Sequence, residues 1–64
     1  LMNYRKGSII EYKTFDGSLR LARVTEKLDD VKNGHSGFDG VLINDNFNWE
    51  VWGYDDQIIR VVVR

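Results

Sequence analysis

No window of this sequence repeats apolar residues at i, i+3, i+4 and i+7, the recurrence that a stable amphipathic helix requires. Instead, short runs of β-branched and aromatic residues are cut apart by glycine and by clusters of Asp and Asn. That punctuation restricts the chain to an all-β fold. The first run, Ser8 to Phe15, enters after Gly7 and alternates so that Ile10 and Tyr12 share a face opposite Glu11 and Lys13. Asp16-Gly17 then predicts a type I′ hairpin into a second strand, Leu19 to Leu28, whose Ala22 and Val24 meet Ile10 and Tyr12. Leu19 and Leu21 fall on the other face, so this strand is expected to bend or bulge.

Residues 28–40 carry three glycines and three aspartates, and the sequence reads there as one long loop with a single helical turn at Asp29–Lys32. A third strand follows at Gly40–Ile43, a turn at Asn44–Phe47 and a fourth strand at Asn48–Tyr54. Asp55-Asp56-Gln57 reads as a short 3₁₀ connector and Ile58–Val63 as the last strand. The expected fold is therefore a five-stranded antiparallel barrel of the SH3-like type, forming a single domain over residues 1–64. Leu1 precedes Met2 and reads as a remnant of expression.

Composition narrows the chemistry. A 64-residue chain buries only about 60% of its unfolded surface and often needs reinforcement. With no cysteine there is no disulfide, and one histidine argues against a zinc site. Packing, with two Trp, three Tyr and three Phe, has to supply the stability. The formal net charge of −1 disfavours general nucleic-acid binding, and no apolar run reaches the roughly 20 residues of a membrane span. The lack of cysteine suits a cytoplasmic protein.

Plain structural chemistry accounts for each candidate motif. Calcium loops fail: counted from Asp29, ligand position 3 is Val31 and position 12 is Gly40, and counted from Asn44, position 6 is Trp49. Turn formation accounts for these Asx residues. His35 beside Ser36 has no third group to orient it, and Lys32 to Gly37 lacks the spacing of a phosphate loop. The chain reads as a non-enzyme with no cofactor and no metal.

The aromatics are the informative set. Either both tryptophans pack the core, or Tyr12, Phe38, Trp52 and Tyr54 offer ring faces beside Asp39, Asp55, Asp56 and Gln57, a surface suited to a protein or peptide partner. In the alternative reading Arg20, Arg23, Lys27 and Arg60, with Arg64, form a basic stripe for nucleic acid. A third reading takes the apolar segment Ile58–Val63 as a strand that pairs between copies in a homo-oligomer.

Two stretches, Val31-Lys32-Asn33-Gly34-His35-Ser36-Gly37-Phe38-Asp39-Gly40 and Val51-Trp52-Gly53-Tyr54-Asp55-Asp56-Gln57-Ile58, resemble short uncharacterised proteins of bacteria and their phages. Those proteins share a KNG-x-x-GFDG…VWGYD-x-Q-I pattern. The resemblance covers most of the chain and implies no activity. The layout also looks like Tudor- and KOW-type barrels, at the level of fold alone. A scaffold role for both stretches is the competing expectation: Phe38 plugs the core, Gln57 bonds loop backbone, and Asp39 or Asp55 caps neighbouring amides.

Overall fold

The computed structural model describes residues 3–44 and 46–64, so Leu1, Met2 and Asp45 of the expected 44–47 turn lie outside the described residues. Five antiparallel strands, β1 (Ile9–Lys13), β2 (Leu19–Lys32), β3 (His35–Leu42), β4 (Glu50–Tyr54) and β5 (Ile58–Val63), form one sheet in the order β4-β3-β2-β1-β5. The 3₁₀ turn Asp55–Gln57 joins β4 to β5. Among the described residues no ladder joins β4 to β5, so the sheet is open along those two edges.

The expected loop over 28–40 does not exist. β2 continues to Lys32, and β3 begins at His35 after a two-residue turn in which Asn33 (φ 56°) and Gly34 (φ 77°) are both left-handed. That backbone is the I′ geometry which matches the twist of paired strands. The Asp30 carboxylate accepts from the Gly34 N–H at 2.8 Å and secures the turn. Gly37 and Gly40, which look like loop residues, sit in β3 because neighbouring backbone comes too close for a side chain. A Cβ at Gly37 would lie 2.1 Å from the Gly53 carbonyl oxygen, and one at Gly40 2.8 Å from that of Arg23.

The hairpin expected at Asp16-Gly17 forms with a different turn. Phe15-Asp16-Gly17 is a three-residue loop in which only Gly17 (φ 90°) is left-handed. The Gly17 N–H donates to Thr14 O at 2.9 Å and the Thr14 N–H to Ser18 O at 2.7 Å. The Asp16 side chain accepts from the Ser18 N–H at 3.0 Å and from the Thr14 hydroxyl. These bonds hold the exposed Asp16 carboxyl down at about 2, with the Thr14 bond the largest cause.

Ile10 pairs with Ala22, and with Tyr12 and Val24 they line the core, as the alternation implied. The bulge in β2 falls later than expected. Thr25 has no partner between Val24↔Gly40 and Glu26↔Asp39, so the inward-facing phase switches there. Beyond it Lys27 pairs with Phe38, and its Nζ lies 4.7 Å over the Tyr4 ring. Phe38 is wholly buried at the centre, edge-on to Tyr12 (5.2 Å) and Tyr4 (6.3 Å). Leu42, Val51 and Val61 complete the packing, and β5 leaves Ile59, Val62 and Val63 exposed.

Candidate functional site

The period of two puts Trp52 and Tyr54 on one face of β4, and their rings meet edge-on at 5.4 Å. Between them Gly53 turns to the core, where a Cβ would come within 2.9 Å of the Phe38 ring. A bare backbone here lets β4 lie close on the core while its two large rings stay outside. Phe15, carried by the β1–β2 turn, reaches the same place: its ring is 5.1 Å from Trp52 and 6.2 Å from Tyr54. Phe15 is 66% exposed, an unusual exposure for a ring with two aromatic neighbours. The result is a three-ring platform assembled from segments far apart in the chain.

The β2–β3 hairpin borders the platform. Lys32 and His35 are partners across the Asn33-Gly34 turn and share a face. The Lys32 Nζ lies 5.4 Å from the centre of Trp52, and the His35 ring stands 5.5 Å from Tyr54 at 75°. Beyond Tyr54 a cleft of about 360 Å³ opens, lined by Asn33, His35, Ser36, Tyr54, Asp55 and Asp56. Tyr54 thus belongs to both platform and cleft.

The floor of the cleft is fixed by Asp55. One carboxylate oxygen accepts from the Tyr4 hydroxyl at 2.5 Å and the other from the Ser36 hydroxyl at 2.7 Å. Tyr4 is 4% exposed, and its hydroxyl also faces the Gly37 carbonyl at 2.8 Å. Burial first, then the Asp55 bond and charge, push its phenol well above the ordinary tyrosine range. The N-terminal segment that carries Tyr4 is in turn anchored to β2, through Gly7 N–H to Val24 O and Val24 N–H to Ser8 O, both at 2.8 Å. Gln57 holds the other side: its amide oxygen accepts from the Tyr54 N–H and its amide nitrogen donates to Lys13 O, both at 2.8 Å. Asp56 is exposed and makes no hydrogen bond or ion pair with its side chain among the described residues.

Several expectations change. Tyr12 and Phe38 are core residues at 3% and 0% exposure, because the alternation of β1, and that of β3 through Phe38, Gly40 and Leu42, turns both inward. They offer no ring face to a partner. Trp52 and Tyr54 do converge at the surface, and neither tryptophan belongs to the buried core; Trp49 is 60% exposed beside Phe47. Asp39 lies across from Trp52 on β3, lining a second cleft with Glu50, away from Asp55 and Asp56. Asp55 receives hydroxyls rather than capping amides, and Gln57 bonds backbone outside the 28–40 segment.

The basic residues are not gathered into a stripe. The β1–β2 ladder is regular from Leu19 to Arg23, so Arg20 and Arg23 point to opposite faces. Arg60 pairs with Glu11 at 2.9 Å, and Lys27 covers Tyr4. Sequence reasoning missed Phe15 and Tyr4, and set Lys32, His35 and Ser36 aside as loop residues without chemistry. Reading Asn33-Gly34 as a hairpin turn would have placed Lys32 against His35; nothing in the sequence signals that Phe15 meets β4. Among the described residues no helix is long and apolar enough to cross a membrane, and no group of three or more His, Cys, Asp or Glu could hold a metal ion. No family model, curated protein or solved structure matches the chain.

Proposed function

We propose that the protein is a small, non-catalytic binding module of the SH3-like type that takes an extended segment of a partner protein across the Phe15, Trp52 and Tyr54 rings. The observation that carries this reading is the convergence itself. Phe15 comes from a turn that could have closed with any polar residue, yet a large apolar ring sits there against two others and stays largely in water. Rigid aromatic surfaces of this kind bind with little loss of side-chain freedom, since each ring has only two rotatable bonds. The strand order and the 3₁₀ turn before β5 support the SH3-like layout, although the sheet is open between β4 and β5. The cytoplasm of a bacterium, or of a phage-infected cell, is the setting proposed for it. A role without chemistry is favoured by the Ser36 hydroxyl, whose partner is a carboxylate already held by Tyr4, and by His35, whose ring packs on Tyr54. The nucleic-acid reading loses its support with the dispersal of Arg20, Arg23, Lys27 and Arg60.

The test is selection of displayed random peptides on the immobilised protein, followed by affinity measurement of the selected peptides. Trp52→Ala and Phe15→Ala should each weaken them about tenfold or more, the cost of losing an aromatic anchor of roughly 1.4 kcal/mol or above. Selected peptides that bind both variants as tightly as the parent would refute the platform.

A further inference from the structure

We infer that the cleft beside Tyr54 is a receptor for a guanidinium group, so that the partner segment is read by an arginine placed next to its platform-binding residues. The inference rests on the peptide-binding reading and extends it to a second, chemically distinct subsite. Three observations converge. The cleft is walled by two rings, Tyr54 and His35, standing at 75° with centres 5.5 Å apart, which form a corner open to a flat group. Its floor and rim carry the Asp55 and Asp56 carboxylates. Asp55 is immobilised by the Tyr4 and Ser36 hydroxyls, so its charge is already in place before any ligand arrives. Asp56 is free of such contacts and can turn toward an incoming fork.

The third observation is how the protein treats its own cations. Lys32 lies over Trp52 and Lys27 over Tyr4, so two rings bordering this region already carry an ammonium. Among the described residues the Tyr54 ring carries none. Tyr54 is the one ring that is half-exposed, next to two carboxylates and without a cation of the protein's own. A guanidinium suits the corner better than an ammonium, because it is planar, stacks on a ring face and presents paired N–H groups to a carboxylate. At about 360 Å³ the cleft can admit the stem of the side chain with its head. Because Tyr54 is the wall shared with the platform, an arginine in the cleft and an apolar residue over Trp52 can belong to one extended segment.

The experiment is a ¹H–¹⁵N NMR titration of the intact protein with three probes: Nα-acetyl-arginine methylamide, its citrulline counterpart and its lysine counterpart. Arginine should shift the amides of Asn33, Ser36 and Tyr54 to Asp56 with a millimolar midpoint. Citrulline, which is isosteric and neutral, should bind at least tenfold more weakly, and lysine severalfold more weakly. Asp56→Asn should weaken arginine severalfold and narrow its advantage over citrulline, with the remaining spectrum unchanged. Equal binding of arginine and citrulline, or shifts located elsewhere, would overturn the inference; if selected peptides still depended on Trp52, the platform reading would stand without it. Arginine selectivity at the cleft alongside peptides indifferent to Trp52→Ala would uphold the cleft and overturn the platform.

Discussion

Replacing Tyr4 by Phe removes one oxygen and keeps the ring, which makes it a clean probe of how the cleft is tied to the fold. The ring packs edge-on to Phe38 at 6.3 Å, and that contact survives the change. What is lost is the hydroxyl, which lies 2.5 Å from Asp55 and 2.8 Å from the Gly37 carbonyl oxygen. One proton serves one acceptor at a time, so a single charge-assisted hydrogen bond is removed, a contribution of about 1.5–3 kcal/mol. Asp55 is only half-buried and keeps Ser36, so water recovers part of that loss. The Gly37 carbonyl, in a buried residue, recovers less. A net destabilisation of about 2 kcal/mol follows. In a domain of this size it lowers Tm by about 8–16 °C. Urea unfolding at pH 7, followed by tryptophan fluorescence, measures it directly. The same variant has an alkaline signature. The Tyr4 phenol is raised above the ordinary tyrosine value of 10.0 in the folded chain and titrates normally when unfolded, so the stability it contributes is fully present below pH 10. Above that pH the unfolded chain gives up a proton that the folded chain keeps, and stability falls by up to about 1.4 kcal/mol per pH unit for each such tyrosine. Tyr12 is also raised by burial, against a smaller opposing effect of Arg20. Tyr4→Phe should therefore remove one tyrosine's share of the alkaline slope while leaving that of Tyr12. A variant within 0.5 kcal/mol of the parent, a loss of the size seen at an ordinary surface site, with an unchanged alkaline slope, would refute the assignment of Tyr4 as the tie.

Two further outcomes follow from backbone and turn geometry. Gly37→Ala puts a methyl 2.1 Å from the Gly53 carbonyl oxygen, so β3 and β4 must separate; a loss of about 3 kcal/mol or more is expected in urea unfolding, against about 1 kcal/mol for Gly34→Ala, where only the left-handed φ of 77° is strained. Similar losses for the two would contradict the close approach of the strands. The Asp16 carboxyl should titrate at about 2 by NMR and move toward the ordinary aspartate value in Thr14→Val, because the Thr14 hydroxyl is the largest cause of its depression. The stability linked to it is present above the ordinary value and is lost as pH falls toward 2; an unmoved titration in the variant would contradict the bond.

The strand residues of β1, the first half of β2 and β5 were legible because period-two alternation and β-branched content are local properties of a chain. The same holds for the 3₁₀ turn at Asp55–Gln57. The segment 28–40 was misread for a physical reason. Gly37 and Gly40 are in strands because of atoms on other strands, the Gly53 and Arg23 carbonyls, and no local signal separates a glycine demanded by close approach from one that loosens a loop. Phe38 and Tyr12 could not be separated from Trp52 and Tyr54 by type, since all four are aromatics in strands. Pairing decides it: Phe38 lies across from Gly53, whose bare backbone brings β4 onto the core and leaves its neighbours Trp52 and Tyr54 on the outer face.

For the candidate site, the sequence by itself determined the materials: Trp52 and Tyr54 two residues apart, Asp55 and Asp56 beside them, and an Asn-Gly pair able to turn a hairpin at Lys32 and His35. Only the tertiary structure brought Phe15 onto Trp52, Tyr4 under Asp55 and His35 against Tyr54. Those contacts span separations of 19 to 51 residues, and they depend on register and bulge positions set by packing of the whole sheet. Alternation within one strand says which residues share a face; it carries no information about which other strand's face they meet.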